Sequence, residues 1–188
     1  DGAVDDSHIG ALAASKLTGA LPAISGASLT GLSSGLSEAD QWRITSTLSL
    51  SGSGRTVVTA NWERSDTAFE KIGTGMSESS GIFTFPSTGK WLVATSQMYA
   101  SNENIEYVYI EIQNTTNNSS YGRIARSVSY NAGSGTDTHS AYCETMIDIT
   151  DVSNHKVCIS AYRGGGVDFI GGTDAQNTGV TFMKLGDT

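Results

Sequence analysis

The segment 81–93, with the sequence GIFTFPSTGKWLV, constrains the fold of this chain more than any other. It contains a short run of alternating aromatic residues, a turn marked by Pro86, and the start of a longer alternating run that continues to residue 100. Because successive strand residues point to opposite faces, one face carries Trp91, Val93, Thr95, Gln97 and Tyr99, and the other carries Leu92, Ala94, Ser96, Met98 and Ala100. We predict that one face packs in a sandwich core and the other against a partner subunit.

Strand-like runs recur at short intervals through most of the chain, with Gly-rich turns between them. We therefore predict an all-β fold of about ten antiparallel strands in two packed sheets. A jelly roll is preferred, because the Cys, Trp, Cys order of an immunoglobulin sandwich is absent. The predicted strands are residues 41–51, 56–61, 68–72, 81–85, 91–100, 106–114, 122–130, 140–149, 156–162 and 179–185.

The first 37 residues differ from the rest of the chain. The triplet Leu-Thr-Gly occurs at residues 17–19 and again at 29–31, and Gly and Pro interrupt any long helix. One copy of this segment cannot bury enough surface to offset its ordering entropy. We predict that residues 1–37 form an extended stem of three copies and that residues 38–188 form a globular knob; a flexible linker is the alternative. The predicted stem-axis residues are Leu17, Leu21, Ile24, Leu29 and Leu32.

Two cysteines, Cys143 and Cys158, lie in the strand-like runs HSAYCETMIDI and KVCISAY. These runs are predicted to be the arms of one hairpin that turns over residues 151–155. Such a register places Cys143 opposite Tyr162 or Arg163 rather than opposite the other cysteine. We therefore predict two buried free thiols, with a structural disulfide as the lesser alternative.

Charge and motif content argue against several classes of function. The formal net charge is −8, and the 11 Lys and Arg are scattered singly, whereas a nucleic-acid-binding surface needs clustered Lys and Arg side chains. No apolar run reaches the roughly 20 residues that span a bilayer, so no membrane insertion is predicted. His139 lies close to Asp137, but a surface contact is preferred to a metal site there. With no catalytic motif present, we predict no catalytic residue, no metal, no cofactor and no enzymatic activity.

The segment GIFTFPSTGKWLVATSQMY resembles the central motif of the globular-head jelly rolls of the complement and tumour necrosis factor type. In that motif a Gly-x-Phe-x-x-Pro-x-x-Gly-x-Tyr run precedes an aromatic-rich strand. The matching positions here are Gly81, Phe83, Pro86 and Gly89, with Trp91 at the tyrosine position. The ending GVTFMKLGD is similar to the final strand of the family. The resemblance covers roughly residues 39–187 and implies a trimeric jelly-roll head.

The stem repeat ASKLTGALPAISGASLTGL, together with NWERSDTAFEKIGTGMSESSGIFTFPSTG, resembles tail-fibre and other fibre proteins of bacteriophages. This resemblance implies a homotrimeric structural protein of a virion appendage, made in the host cytoplasm and carried on the extracellular particle. Its implied partners are its own copies, other virion proteins through the N-terminus, and a glycan or protein on the host surface. The alternatives are a trimerisation and capping module with no receptor and, less favoured, a polysaccharide depolymerase, because β-helix repeats are absent.

Two sets of residues are predicted to make contacts that matter for such a function. Polar loops between strands offer hydrogen-bonding groups to a receptor, and the candidates are Asn117, Asn118, Tyr121, Tyr130, Asp137, His139 and Arg163. Aromatic residues are candidates for either the core or the trimer interface, and these are Trp42, Trp91, Tyr99, Tyr107, Tyr109 and Phe182.

Overall fold

The computed structural model describes residues 35–101, 105–130 and 137–188, so the five predicted stem-axis residues lie outside it. The described residues belong to one compact unit, Gly35–Thr188, made of two antiparallel β-sheets. These ranges contain no helix, and thus none long and apolar enough to cross a membrane. The predicted all-β antiparallel sandwich is confirmed.

The described ranges contain fourteen strands rather than about ten. The eight-stranded sheet contains β1 (Ala39–Ile44), β2 (Leu48–Leu50), β4 (Trp62–Arg64), β5 (Lys71–Ile72), β8 (Gly89–Ser101), β11 (Asp137–Ile149), β13 (Val167–Phe169) and β14 (Gly179–Gly186). The six-stranded sheet contains β3 (Gly54–Val57), β6 (Ser77–Ser79), β7 (Ile82–Thr84), β9 (Tyr107–Thr115), β10 (Gly122–Tyr130) and β12 (Lys156–Arg163). The predicted strand 41–51 is two strands, and the short β4, β6 and β13 were not predicted.

Strand β8 organises the eight-stranded sheet. It pairs with β11 along one side over its whole length, and with β14 and β13 along the other. In the six-stranded sheet, β9 lies between β10 and β12. The chain crosses between the two sheets after β2, β3, β5, β7, β8, β10, β11 and β12, so most sequential strands lie in different sheets instead of pairing.

The predicted hairpin between the two cysteine-containing strands is wrong. Strand β11 pairs with β8, whereas β12 pairs with β9 in the other sheet, so the turn over residues 151–155 connects two sheets. Cys143 consequently lies opposite Thr95 and not opposite Tyr162 or Arg163. Alternation along a strand shows which residues share a face, but it does not distinguish a paired neighbour from one in the opposing sheet.

Both cysteines are free and buried, as predicted. Burial raises the pKa of Cys143 to about 11 and that of Cys158 to about 12. Because the thiolate is the reactive form, we expect the native protein to react with a disulfide reagent at least about 100-fold more slowly than the unfolded chain. The measurement is thiol release at pH 8 with and without denaturant, and rapid labelling of two thiols in the native protein would contradict it.

The alternation predicted for β8 is confirmed, since its odd-numbered residues are buried and its even-numbered residues are partly exposed. Aromatic rings from both sheets meet in the core. The Phe83 ring of β7 lies 5.2 Å from Phe182, 5.2 Å from Trp62 and 5.7 Å from Trp42. Phe85 lies 5.1 Å from Trp91 in an edge-to-face contact. This ring cluster joins the two sheets.

Two glycines of the sequence motif are required by the backbone. Gly81 has a φ of +81°, and a Cβ at this position would lie 2.3 Å from the carbonyl oxygen of Val58. Gly89 has a φ of +140°, and its Cβ would lie 2.5 Å from the carbonyl oxygen of Gly186. Only glycine accommodates both the conformation and the close approach. These residues let the chain enter β7 and β8 tightly against neighbouring strands.

A buried carboxylate anchors the first strand. Asp40 of β1 is almost fully buried, and it accepts hydrogen bonds from the backbone N–H of Met76 (2.6 Å) and from Trp42 Nε1 (2.9 Å). Its Oδ1 also pairs with Arg64 Nε at 2.9 Å. The carboxylate therefore connects β1 to β4 and to the segment before β6.

Candidate functional site

The predicted receptor-binding residues divide between opposite ends of the sandwich. Asn117, Asn118 and Tyr121 lie in the connection between β9 and β10, beside the start of β12. Tyr130 ends β10 and Asp137 begins β11, at the other end of the same strands. His139 and Arg163 also lie at this second end. One chain therefore does not bring all seven residues into a single site.

The first group shapes a turn. The Asn117 Oδ1 atom accepts hydrogen bonds from the backbone N–H groups of Ser119 (3.1 Å) and Ser120 (2.9 Å). Asn118 adopts a φ of +53°, a conformation that asparagine tolerates better than most residues. Tyr121 is half-buried, and burial raises its pKa. Asn117 and Asn118 therefore shape the turn between β9 and β10.

The second group is held in different ways. The His139 ring stacks on Tyr99 at 5.6 Å. Arg163 is only 2% exposed, and it donates to Thr56 Oγ1 at 2.9 Å and to the Ser51 carbonyl oxygen at 2.8 Å. Burial lowers the pKa of Arg163. Within residues 35–101, 105–130 and 137–188, no group of three His, Cys, Asp or Glu side chains is arranged to hold a metal ion.

The six aromatic candidates occupy two environments. Trp91, Tyr99 and Phe182 are buried in the core of the single chain, and Trp42 packs against that core. Tyr107 and Tyr109 instead lie on the outer face of the six-stranded sheet, away from the core. These two tyrosines are therefore not part of the core of the single chain.

Four tyrosines and three arginines share this outer face, which we call the tyrosine–arginine face: Tyr107, Tyr109, Tyr130, Tyr162, Arg55, Arg123 and Arg126. The pairing register brings them together from four strands, since Tyr130 lies opposite Tyr107 and Tyr162 lies opposite both Tyr109 and Arg55. The Tyr107 and Tyr162 rings stack at 6.1 Å with an 11° angle between their planes. The Arg126 guanidinium lies 4.0 Å above the Tyr109 ring.

A buried carboxylate holds the three arginines in place. Glu111 is 0% exposed and accepts hydrogen bonds from Arg55 Nε (2.6 Å), Arg126 Nε (2.8 Å) and Arg123 Nη1 (3.3 Å). Burial acts to raise the pKa of Glu111, but the three guanidinium groups outweigh it and hold the pKa at about 2. Three positive charges against one negative charge leave the cluster with a net charge of +2.

A β-bulge places Arg123 on this face. In a regular strand, residues three apart point to opposite faces, so Arg123 and Arg126 would be separated. The register shifts between Arg123 and Ala125, so that Arg123 lies opposite Gln113 and Arg126 lies opposite Glu111. The extra residue returns Arg123 to the face that Glu111 occupies.

The opposite face of the molecule has a different character. On the outer side of the eight-stranded sheet, one row of apolar residues crosses five strands, and we call it the apolar row: Met146, Leu92, Met183, Ala39 and Ile72. Met146 is 74% exposed, and Tyr142 and Leu185 add further exposed apolar surface nearby. The charges on the neighbouring rows of β8 and β11 are Glu144 and the Lys90–Asp148 ion pair, and Glu70 and Lys71 precede Ile72 at the other end of the apolar row.

Sequence reasoning missed five site residues: Arg55, Glu111, Arg123, Arg126 and Tyr162. The run YVYIE did place Tyr107, Tyr109 and Glu111 on a common face, because they are two residues apart. The arginines come from other strands, and only the pairing register and the bulge reveal that they surround Glu111.

The two sheets and the crossings between them define a jelly roll. Among solved structures, this fold is that of the tumour necrosis factor type. The Eiger TNF of S. frugiperda matches with a TM-score of 0.58 at 12% identity, over 80% of this chain and 93% of that chain. Murine APRIL matches with a TM-score of 0.57 at 13% identity, over 79% of this chain and 98% of that chain. No protein-family model and no curated protein matches the chain.

The resemblance to tumour necrosis factor-type heads is thus confirmed at the level of the fold. Identities of 12% and 13% carry no residue-level correspondence of function. The resemblance of residues 14–32 together with residues 61–89 to bacteriophage fibre proteins is not tested by these matches and stays a prediction.

Proposed function

We propose that this chain is a non-enzymatic, homotrimeric attachment protein of a virion appendage, such as a phage tail fibre or head fibre. The jelly-roll knob assembles through the outer face of its eight-stranded sheet. Residues 1–37 connect the knob to the rest of the virion, and the exposed surfaces of three knobs bind a glycan or protein on the host. Three weak sites held together give a higher avidity than one site alone.

The apolar row is the observation that supports the proposed self-assembly of the chain. Its five residues come from five neighbouring strands and form a strip in which Met146 and Ile72 are exposed, Leu92 and Met183 are partly exposed, and Ala39 is buried. Burial of apolar surface stabilises association by roughly 25 cal/mol per Å² before the costs of association are subtracted. A strip of this kind is more typical of a subunit contact than of a solvated sheet.

Charge favours a second copy of the chain as the occupant of this face. Each chain carries a net charge of −8, so copies repel one another except where they meet through nearly uncharged surface. At the β8 and β11 end of the apolar row, Lys90 and Asp148 neutralise each other at 2.8 Å, and Glu144 has no cationic partner among the described residues. Closed rotational symmetry then buries the same strip on every subunit.

The virion setting is supported by sequence alone. The repeated Leu-Thr-Gly triplet at residues 17–19 and 29–31 suits a segment that is stabilised only when several chains run side by side. A trimeric knob would hold three such segments together at high local concentration.

Self-assembly is tested by the solution mass of the full chain. We expect light scattering at micromolar concentration to give three times the 19.7 kDa chain mass. The substitution Met146→Asp places a charge in the apolar row at a side chain that the single chain leaves 74% exposed. We expect this variant to fold and to have the mass of one chain.

The matched control is Val128→Asp, which changes an exposed apolar residue on the opposite sheet and should keep the trimeric mass. A single-chain mass for the unmodified protein would refute the proposed trimer. A trimeric mass for the Met146→Asp variant would show that the assembly uses a different surface.

A further inference from the structure

We propose that the tyrosine–arginine face is a binding site for a carboxylate-bearing saccharide, such as a polymer of uronic acid. This inference specifies the class of ligand that the proposed attachment protein binds, and its biological setting rests on that proposed function. Binding itself requires the residues of one chain only.

The tyrosine–arginine face is a positively charged region of an acidic protein. The chain has a net charge of −8, yet Arg55, Arg123 and Arg126 converge on a single carboxylate. The side chains of Arg55 and Arg123 are 44% and 42% exposed, so water reaches them. One further carboxylate, Glu106, lies beside Tyr107 at the end of the face. The cluster is a local positive patch on an acidic protein, and an anionic ligand is the species it attracts.

Arg55 and Arg123 have guanidinium N–H groups for which no acceptor is seen in the part of the chain that the structure describes. A guanidinium has five N–H donors in a planar fork, and among the described residues Arg123 donates only to Glu111, at 3.3 Å. Arg55 uses Nε and Nη2 for Glu111, and no bond to its Nη1 is seen among the described residues. Glu111 fixes these side chains before any ligand arrives, which reduces the entropy lost on binding.

Tyrosine rings beside the arginines offer a surface for a sugar ring. Tyr107 and Tyr162 present nearly parallel rings, and Tyr130 is 69% exposed on the strand next to them. The neighbouring Tyr162 raises the pKa of Tyr107, and this phenol is neutral at pH 7 even at its ordinary pKa. Rigid tyrosines supply apolar contact and a hydroxyl at little entropic cost. A sugar ring, with an apolar side and hydroxyl groups at its rim, is complementary to such a surface.

A saccharide fits this face better than a peptide does. Peptides that bind to sheets add a strand at an edge, where backbone groups are unpaired. Strands β9 and β12, which carry Tyr107, Tyr109 and Tyr162 at the centre of the face, lie inside the sheet and use their backbone groups in pairing on both sides, whereas β10 and β3 pair on one side only among the described residues. Recognition here depends on side chains. A planar carboxylate can align with a guanidinium fork that lies flat on the sheet, as Arg126 does over Tyr109.

The experiment measures binding of polygalacturonate to the full chain at physiological ionic strength, with dextran as the neutral probe and heparin as the sulfated probe. We expect binding to polygalacturonate and none to dextran. Arg123→Gln and Tyr130→Ala should each weaken binding about tenfold, because each removes a direct contact with the ligand. Both side chains are exposed, so the fold should tolerate either change.

The matched control is Lys156→Gln, which removes the same charge at the opposite end of β12, where the lysine side chain donates, within the described ranges, only to the Val152 carbonyl oxygen at 3.3 Å, and it should leave the affinity unchanged. Equal weakening by Lys156→Gln and Arg123→Gln would overturn the proposal, since binding would then follow net charge. Binding to heparin alone, or to no probe, would also overturn it. Light scattering on the same samples reports the trimer separately, so a lost ligand site and a lost assembly are distinguishable.

Discussion

Replacing Phe83 with Ala is expected to lower the free energy of unfolding by about 4 kcal/mol, because removal of a buried phenylalanine leaves a cavity. Phe83 is fully buried, and its ring contacts Trp42, Trp62 and Phe182 from the opposing sheet. Edge-to-face ring contacts add to the area term. Denaturant unfolding at a fixed chain concentration, followed by tryptophan fluorescence, measures the loss.

The control for this substitution is Phe69→Ala. Phe69 is half-buried near Leu36 and Ile72, outside the ring cluster. We expect it to cost less than about 1.5 kcal/mol. Equal losses for the two variants would show that the ring cluster does not carry the contact between the sheets.

Acidification is expected to remove about 3 kcal/mol of stability through Glu111 alone. The pKa of Glu111 is held at about 2, below its ordinary value of 4.5, by hydrogen bonds from three arginines that outweigh the effect of burial. A carboxylate whose pKa is lowered by folding stabilises the protein above its unfolded pKa. This contribution is therefore complete at neutral pH and is lost as the pH falls from about 5 to 2.

The substitution Glu111→Gln isolates the contribution of Glu111 to the pH dependence of the free energy of unfolding. At pH 7 we expect the variant to be less stable by about 3 kcal/mol, since three arginines lose their shared anion, and the difference from the unmodified protein should shrink toward pH 2. Asp187 serves as the control, because its lowered pKa arises from Lys184 at an exposed chain end. Asp187→Asn should leave the acid transition in place. A stability difference that stays constant with pH would contradict the assignment to Glu111.

Local sequence pattern was sufficient for the sandwich but not for the pairing of its strands. The alternation in β8 reflects a constraint within a few residues, and it was predicted correctly. The hairpin between β11 and β12 was predicted wrongly, because a short turn can join strands of one sheet or of two. Which of these occurs depends on contacts that are remote in sequence.

The candidate site was predicted only in part for a similar reason. Tyr107, Tyr109 and Tyr130 were singled out as aromatic or loop-edge residues, but nothing in their own segments indicates that they share a face with Arg55 and Arg126. The bulge between Arg123 and Ala125 reverses the direction that simple alternation gives for Arg123. A one-residue irregularity of this kind depends on how β10 packs against the core.

The attachment of β1 has a mechanical consequence. The chain enters the knob at Ala39, and β1 is paired with β14 at five positions and with β4 at three, with the Asp40 carboxylate locked to Arg64. Tension applied to residue 38 along the axis of β1 loads these hydrogen bonds in shear, so they must break together and not one after another. A knob joined in this way resists being unravelled from its N-terminal side.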